Sequence, residues 1–227
     1  MHSYNGCACS LCERTALLRL ALLSLLSLSA IASNAQSQAQ DSSQGGLPSA
    51  GARAERIEKA NQQSTCHSLI NEIAVLLGTS EWVSLGRASQ QFVRECDRPE
   101  RRDNDYYISL ALGLLAHAQR ELGDSQRSLM AAEACRARNA ANADCHLQAA
   151  RTLAVLDLRQ LALASYAAAA RVARSNIEVA RHSLLKTTDG PERDLLESEI
   201  EMNRLFQEDA EEMLNLHTPD HPSAIAG

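Results

Sequence analysis

Four cysteines, Cys66, Cys96, Cys135 and Cys145, are the residues whose type invites chemistry most directly. Their meaning depends on compartment, and the first 35 residues supply one. Residues 20–31 (LALLSLLSLSAI) form an apolar run of 12 residues, short of the ~20 needed to span a bilayer. Arg14 and Arg19 precede it, and the small residues Ala32-Ser33-Asn34-Ala35 follow it, then polar Gln36. This is the layout of a secretory signal peptide over 1–35, cut near Ala35, with Ala32 as the second choice of site. An uncleaved signal anchor is the alternative. Cys7, Cys9 and Cys12 (CACSLC) have a spacing that suits a soft metal ion, but they precede the apolar run and leave with it. No cysteine follows the run closely enough to carry a lipid. The four that remain are an even number in an oxidising compartment, periplasmic or secreted, which predicts two disulfides in one of three pairings.

Other reactive arrangements fail on spacing. His217 and His221 are four apart, but Pro219 between them removes the helix that would bring them together. Cys66-His67 and Cys145-His146 are adjacent pairs, not ligand spacings. The chain has no Gly-rich phosphate loop, no G-x-S-x-G and no H-E-x-x-H. Glu197, Glu199, Glu201, Glu208, Asp209, Glu211 and Glu212 mark a solvated helix face rather than a chosen carboxylate pair. No catalytic residue, metal or cofactor is expected. The net charge is -6, and removal of Glu13, Arg14 and Arg19 with the signal leaves 20 basic and 27 acidic residues, net -7. That balance argues against nucleic acid as a partner, and no later segment is apolar enough for a stable membrane span.

The elements that position these residues are helical. Aromatics are 3% of the chain, with 10 Gly and 5 Pro in 227 residues, too few turn and aromatic residues for a sandwich or barrel. Residues 36–53 (QSQAQDSSQGGLPSAGAR) lack periodicity and read as a flexible linker. From residue 54 apolar residues recur at helical spacing, with a break at Gly78-Thr79-Ser80, where Ser80 is placed to cap the next helix. Residues 97–105 (DRPERRDND) form a charged, solvated loop. Helices are then predicted over 106–122, 125–138, 144–156, 159–174, 176–187 and 192–216, and residues 217–227, with Pro219 and Pro222, form a disordered tail. The folded domain is 54–216, and the fold class is all-α.

The turns at Gly123, Asp157 and Gly190 are 34 and 33 residues apart, a period that belongs to stacked helical hairpins. Superposing the first two turns aligns Leu115 with Ala149, Ala116 with Ala150, Ser128 with Ala162, Ala132 with Tyr166 and Cys135 with Ala169. Small residues are required where two helices approach closely. The stretches ELGDSQRSLMAAEACRARN and LQAARTLAVLDLRQLALASYAAAARVA resemble the tetratricopeptide repeat (TPR) family over residues 109–174. Residues 176–216 resemble it more loosely, as a divergent or terminal repeat, and the hairpin 57–96 is set off by 45 residues, Gly78 to Gly123. The repeat-closing prolines are replaced by Ala140 and Arg174, and the large aromatics by Gln119 and Ala132. The resemblance implies antiparallel hairpins stacked as a short TPR-like α-solenoid, a groove that binds peptides or proteins, and no catalysis.

In a hairpin turned near Ser80, Cys66 and Cys96 both fall near the open end, at ~1.5 Å rise per residue. Cys135 and Cys145 flank the next short connection, so the predicted bridges are 66–96 and 135–145. In the family resembled, the first helix of each hairpin lines the groove, which here presents His117, Arg120 and Arg151. Residues 143–188 carry net +3 and residues 192–227 net -8, so the groove's partner is expected to be an acidic segment, of another protein or of this chain's own 197–212. The function expected is an exported protein-interaction or assembly module. The alternatives are a homo-oligomeric structural envelope component associating through its last helix, and a small hydrolase or metal carrier.

Overall fold

The computed structural model describes residues 50–97, 105–188 and 190–217, with side chains from residue 64 to residue 216. The expected signal peptide, linker residues 36–49, loop residues 98–104 and the tail from 218 lie outside the described residues. Among the described residues there are seven helices and no strand: α1 (Ala50–Thr79), α2 (Trp82–Cys96), α3 (Asp105–Glu121), α4 (Ser125–Arg138), α5 (Ala143–Val155), α6 (Arg159–Leu184) and α7 (Pro191–His217).

Most boundaries follow from identifiable stop and start residues. Gly123 ends the α3–α4 connection at φ +80°, and Gly190 precedes α7 at φ +141°, conformations that a side chain disfavours. Asp124 caps α4 by accepting from the Arg127 amide at 3.0 Å, and Asn142 caps α5 by accepting from Asp144 N at 3.0 Å. Pro191 opens α7 at its first position, where a missing N–H costs nothing, followed by Glu192 and Asp194 in the first turn.

Three expectations are corrected. Ser80 is not the cap of α2. It takes the left-handed conformation at φ 57°, its carbonyl accepts from Trp82 N, and Glu81 occupies the cap position without a side-chain cap bond. The helices expected at 159–174 and 176–187 are one, α6, because Arg174-Ser175-Asn176 contains no helix breaker. The Asn176 amide instead donates across to Ala141 O at 2.9 Å and to Asn203 Oδ1 at 3.1 Å. Residues 50–53, assigned to the linker, belong to α1.

Each helix packs on the next; in addition α3 lies against α5, and α5 against α7. One core joins Leu69 and Ile73 of α1, Leu85 and Phe92 of α2, and Ile108 and Leu114 of α3. A second joins Leu147 and Leu153 of α5, Ala162, Tyr166 and Ala169 of α6, and Phe206 and Ala210 of α7. Between them Ala116, Ala131, Ala132 and Ala149 form a junction of α3, α4 and α5 whose buried apolar residues are all alanine, with the half-buried Leu115 packed against them. A Cβ on Gly113 of α3 would stand 2.8 Å from Asp144 Oδ2 of α5, so glycine is what permits that approach.

Two disulfides fasten these layers. Cys66–Cys96 joins α1 to the end of α2 with Cα atoms 5.9 Å apart, and Cys135–Cys145 joins α4 to the first turn of α5 at 5.4 Å. These are the pairs that the hairpin register predicts. A bridge closing a loop of about fifteen residues contributes roughly 3 kcal/mol when unstrained. Arg138, at the end of α4, pairs with both Asp97 and Asp105, the residues on either side of the charged loop. No helix among the described residues is long and apolar enough to cross a membrane.

Candidate functional site

The arginines nominated by the sequence meet where α3, α5 and α7 come together. Arg120 lies in the last turn of α3, where the helix dipole favours a cation, yet its side chain is only 11% exposed. A guanidinium so enclosed needs acceptors. Its NH1 donates to Gln148 Oε1 of α5 at 2.7 Å, and its NH2 donates to His117 Nδ1 at 2.6 Å. Gln148 turns its amide nitrogen to Asp144 Oδ1 at 2.9 Å. Arginine has no acceptor, so in this contact it is His117 Nδ1 that accepts. The His117 ring is edge-on to Trp82, centroids 4.9 Å apart. The result is a buried chain, Asp144–Gln148–Arg120–His117, carried by two helices.

A second polar seam lies beside it. Ser128 Oγ of α4 is 2.7 Å from Ala116 O and 2.7 Å from Thr152 Oγ1, which is itself 2.8 Å from Gln148 O. Buried hydroxyls satisfied by neighbouring helices fix how those helices sit relative to one another.

Arg151 of α5 pairs with Asp209 of α7, with 27% and 18% of their side chains exposed. Burial first, then the neighbouring Arg151 guanidinium, lower the pKa of Arg120, while Glu121 opposes both. Tyr166 of α6 is buried in the second core; burial raises its pKa, Arg151 pulls it down and Asp209 pushes it up. At the other end of the same face the Tyr106 hydroxyl is pushed up to about 12, by burial first and then by Glu199, Tyr107 and Asp144. Tyr106 as a whole residue is 38% exposed. Burial also raises the Glu199 carboxyl.

His117, Arg120 and Arg151 are thus brought together, and each is engaged by its own chain. Asp209 comes from the acidic stretch expected to be an intramolecular occupant. However, α7 is a packed layer: Phe206 and Ala210 are buried with Tyr166 and Ala169, so the contact with Arg151 belongs to the folded core. Asp144, Gln148 and Gly113 were not nominated by sequence reasoning. The capping Asn142, with Asp144 in the first turn and Gln148 four residues on, is the local sequence signal of this arrangement. Cys66 and Cys145 are disulfide-bonded, which removes them as ligands beside His67 and His146. His146 Nε2 instead lies 3.0 Å from Ala140 O. His221 lies outside the described residues, as does the side chain of His217. Among the described residues no group of three or more His, Cys, Asp or Glu is placed to hold a metal ion.

Compared with known proteins, the chain matches no family model, no curated sequence and no solved structure.

Proposed function

We propose that the chain is an exported, non-enzymatic protein-binding module of TPR-like stacked hairpins, whose groove is the face shared by α3, α5 and α7. The observation that carries this reading is the contact of alternate helices: α3 lies against α5 and α5 against α7, in addition to the packing of each helix on the next. That is how the first helices of successive hairpins make one continuous surface. In this reading the buried chain from Asp144 to His117 holds the helices in register, and the half-open Arg151, Glu121 and Tyr106 meet the partner. The two disulfides accord with an oxidising compartment, which in a bacterium is the periplasm or the exterior.

A photo-crosslinking residue at Glu121 tests the reading, with one at Glu133 on the exposed face of α4 as the control. A protein partner captured from the native envelope through position 121 and not through 133 supports the groove. Equal capture at both positions, or none at 121, rejects it. Association through the last helix is less well supported. The outer face of α7 pairs its own charges, Arg193 with Glu197 and Arg204 with Glu201 and Glu208, and so offers no apolar seam.

A further inference from the structure

Most arginines of the described residues are paired with an acid. Arg94, Arg127, Arg136, Arg138, Arg193 and Arg204 each hold a carboxylate. On α6, Arg174 does the same with Glu211 of α7. Its neighbours do not: Arg171, Arg181 and Lys186 are exposed and have no acidic partner among the described residues. His182, next to Arg181, is exposed as well. Glu178 lies three residues before Arg181 and four before His182, within helical reach, yet pairs with neither. Four of the six cations of residues 143–188 are on this stretch of α6, so the positive balance of that region falls mainly here and not in the groove.

These residues share one side of the helix. From Arg171 through Glu178 and His182 to Leu185 the steps are seven, four and three residues, the spacing of a single face. Arg181, Lys186 and Val179 flank that line. The opposite side, with Ala169, Ala173, Ile177 and Ala180, is buried. Two aliphatics that the core does not use stand among the cations. Leu185, at 86% exposed, is the most open large apolar residue described, and Val179 is 64% exposed. From Arg171 to Lys186 the face runs about 22 Å, at a helical rise of ~1.5 Å per residue.

We propose that the outer face of α6 is a peripheral docking surface for an anionic phospholipid bilayer. Cations left without acids, in a chain of net -7 after residue 35, complement a negatively charged surface. The aliphatics decide which kind. A bilayer takes cations at its headgroups and short apolar side chains just beneath them. An acidic peptide would match the charge and leave Leu185 and Val179 uncovered. The bilayer is touched by one helix face and not crossed, since no helix among the described residues is long and apolar enough to span it. The groove is built from α3, α5 and α7, so this proposal does not depend on the groove reading.

The test is co-sedimentation of the oxidised chain from Gln36 with lipid vesicles. Starting there removes the apolar run 20–31, which would itself enter a bilayer, and keeps every described helix. The parent should bind vesicles of phosphatidylglycerol and phosphatidylcholine in equal parts, and not phosphatidylcholine alone, despite its net negative charge. Binding should be lost toward 1 M salt, where the Debye length is about 3 Å. Arg171→Gln, Arg181→Gln and Lys186→Gln should each weaken it about fivefold, and all three together about a hundredfold. Glu178→Gln should tighten it about fivefold. Leu185→Ser should weaken it without changing the salt dependence. All these side chains are exposed, so the variants should melt with the parent. A parent that ignores the mixed vesicles at millimolar lipid overturns the proposal, as does a triple variant that binds them like the parent. A parent that ignores vesicles but binds poly-glutamate through the same three cations would assign the face to an acidic protein segment and overturn the lipid reading.

Discussion

Gly113→Ala should destabilise the protein, against the usual rule that alanine improves a helix interior. Position 113 is well inside α3, where the change alone would gain about 1 kcal/mol. The new methyl, however, would stand 2.8 Å from Asp144 Oδ2, well inside contact distance. Asp144 is 3% exposed and cannot swing into water. It is held by the Gln148 amide at 2.9 Å, so moving it breaks a hydrogen bond to a buried charge, at about 1.5–3 kcal/mol. Overpacking adds about 1–3 kcal/mol. Less the helix gain, the net loss is about 1.5–5 kcal/mol. Gly86→Ala in α2 is the matched control: its Cβ would meet Ala118 Cβ at 3.6 Å and Gln119 Nε2 at 3.7 Å, ordinary contacts, so it should be neutral or stabilising by up to about 1 kcal/mol. Urea unfolding with disulfides intact measures both. Opposite signs are expected; if Gly113→Ala is stabilising, or the two variants shift alike, the close approach of α3 to α5 is not as described. Trp82, the only tryptophan, reports on the far end of the network through its contact with His117. Its fluorescence should change in Gly113→Ala if displacement passes through Gln148 and Arg120.

Ala162 is 3% exposed in the second core, and Ala162→Leu should lower stability by about 1–3 kcal/mol; an unchanged melting temperature would show the site to be open. Ser89 is fully buried and its hydroxyl has no hydrogen-bond partner. Ser89→Ala should therefore leave urea stability unchanged or raise it by up to about 1 kcal/mol, and a loss above that would mean the hydroxyl is satisfied. The folded protein keeps Tyr106 protonated to about pH 12 against a reference of 10.0. Its contribution is present below pH 10 and is lost as pH rises toward 12. Melting temperature should fall over that window, and less steeply in Tyr106→Phe, with Tyr107 and Tyr166, also raised, supplying the remainder. Mature protein recovered from its native host should begin at Gln36 or near Ser33, which N-terminal sequencing decides; an intact Met1 would refute export by cleavage.

The parts of the fold that were legible in the sequence are those with short-range causes. Gly123, Asp124 and Asn142 fix connections and caps within three residues, and Pro191 announces its own helix. The disulfide register followed from counting turns out from a hairpin apex. The continuity of α6 was not legible, because polar Arg174-Ser175-Asn176 looks like a connection although nothing in it stops a helix. The site was legible only in residue type. His117, Arg120 and Arg151 lie close to one another, but a guanidinium is read as solvated from sequence. What encloses Arg120 lies 28 residues away at Gln148, and what pairs with Arg151 lies 58 away at Asp209. Partners that distant leave no periodicity. Gly113 gave no sign of its role for the same reason.

The order of the bridges along the chain has a consequence for how the protein is made. Cys66 pairs with Cys96, and Cys135 with Cys145, at separations of 30 and 10 residues. The loops neither cross nor nest. If the chain is exported as proposed, threaded N-terminus first through a channel, it presents its thiols in that same sequence, so each second cysteine to emerge finds only its native mate still reduced. An oxidase that joins thiols as they arrive therefore makes the correct pair both times. Such a protein should mature with a dithiol oxidase alone, without the isomerase that interleaved bridges demand.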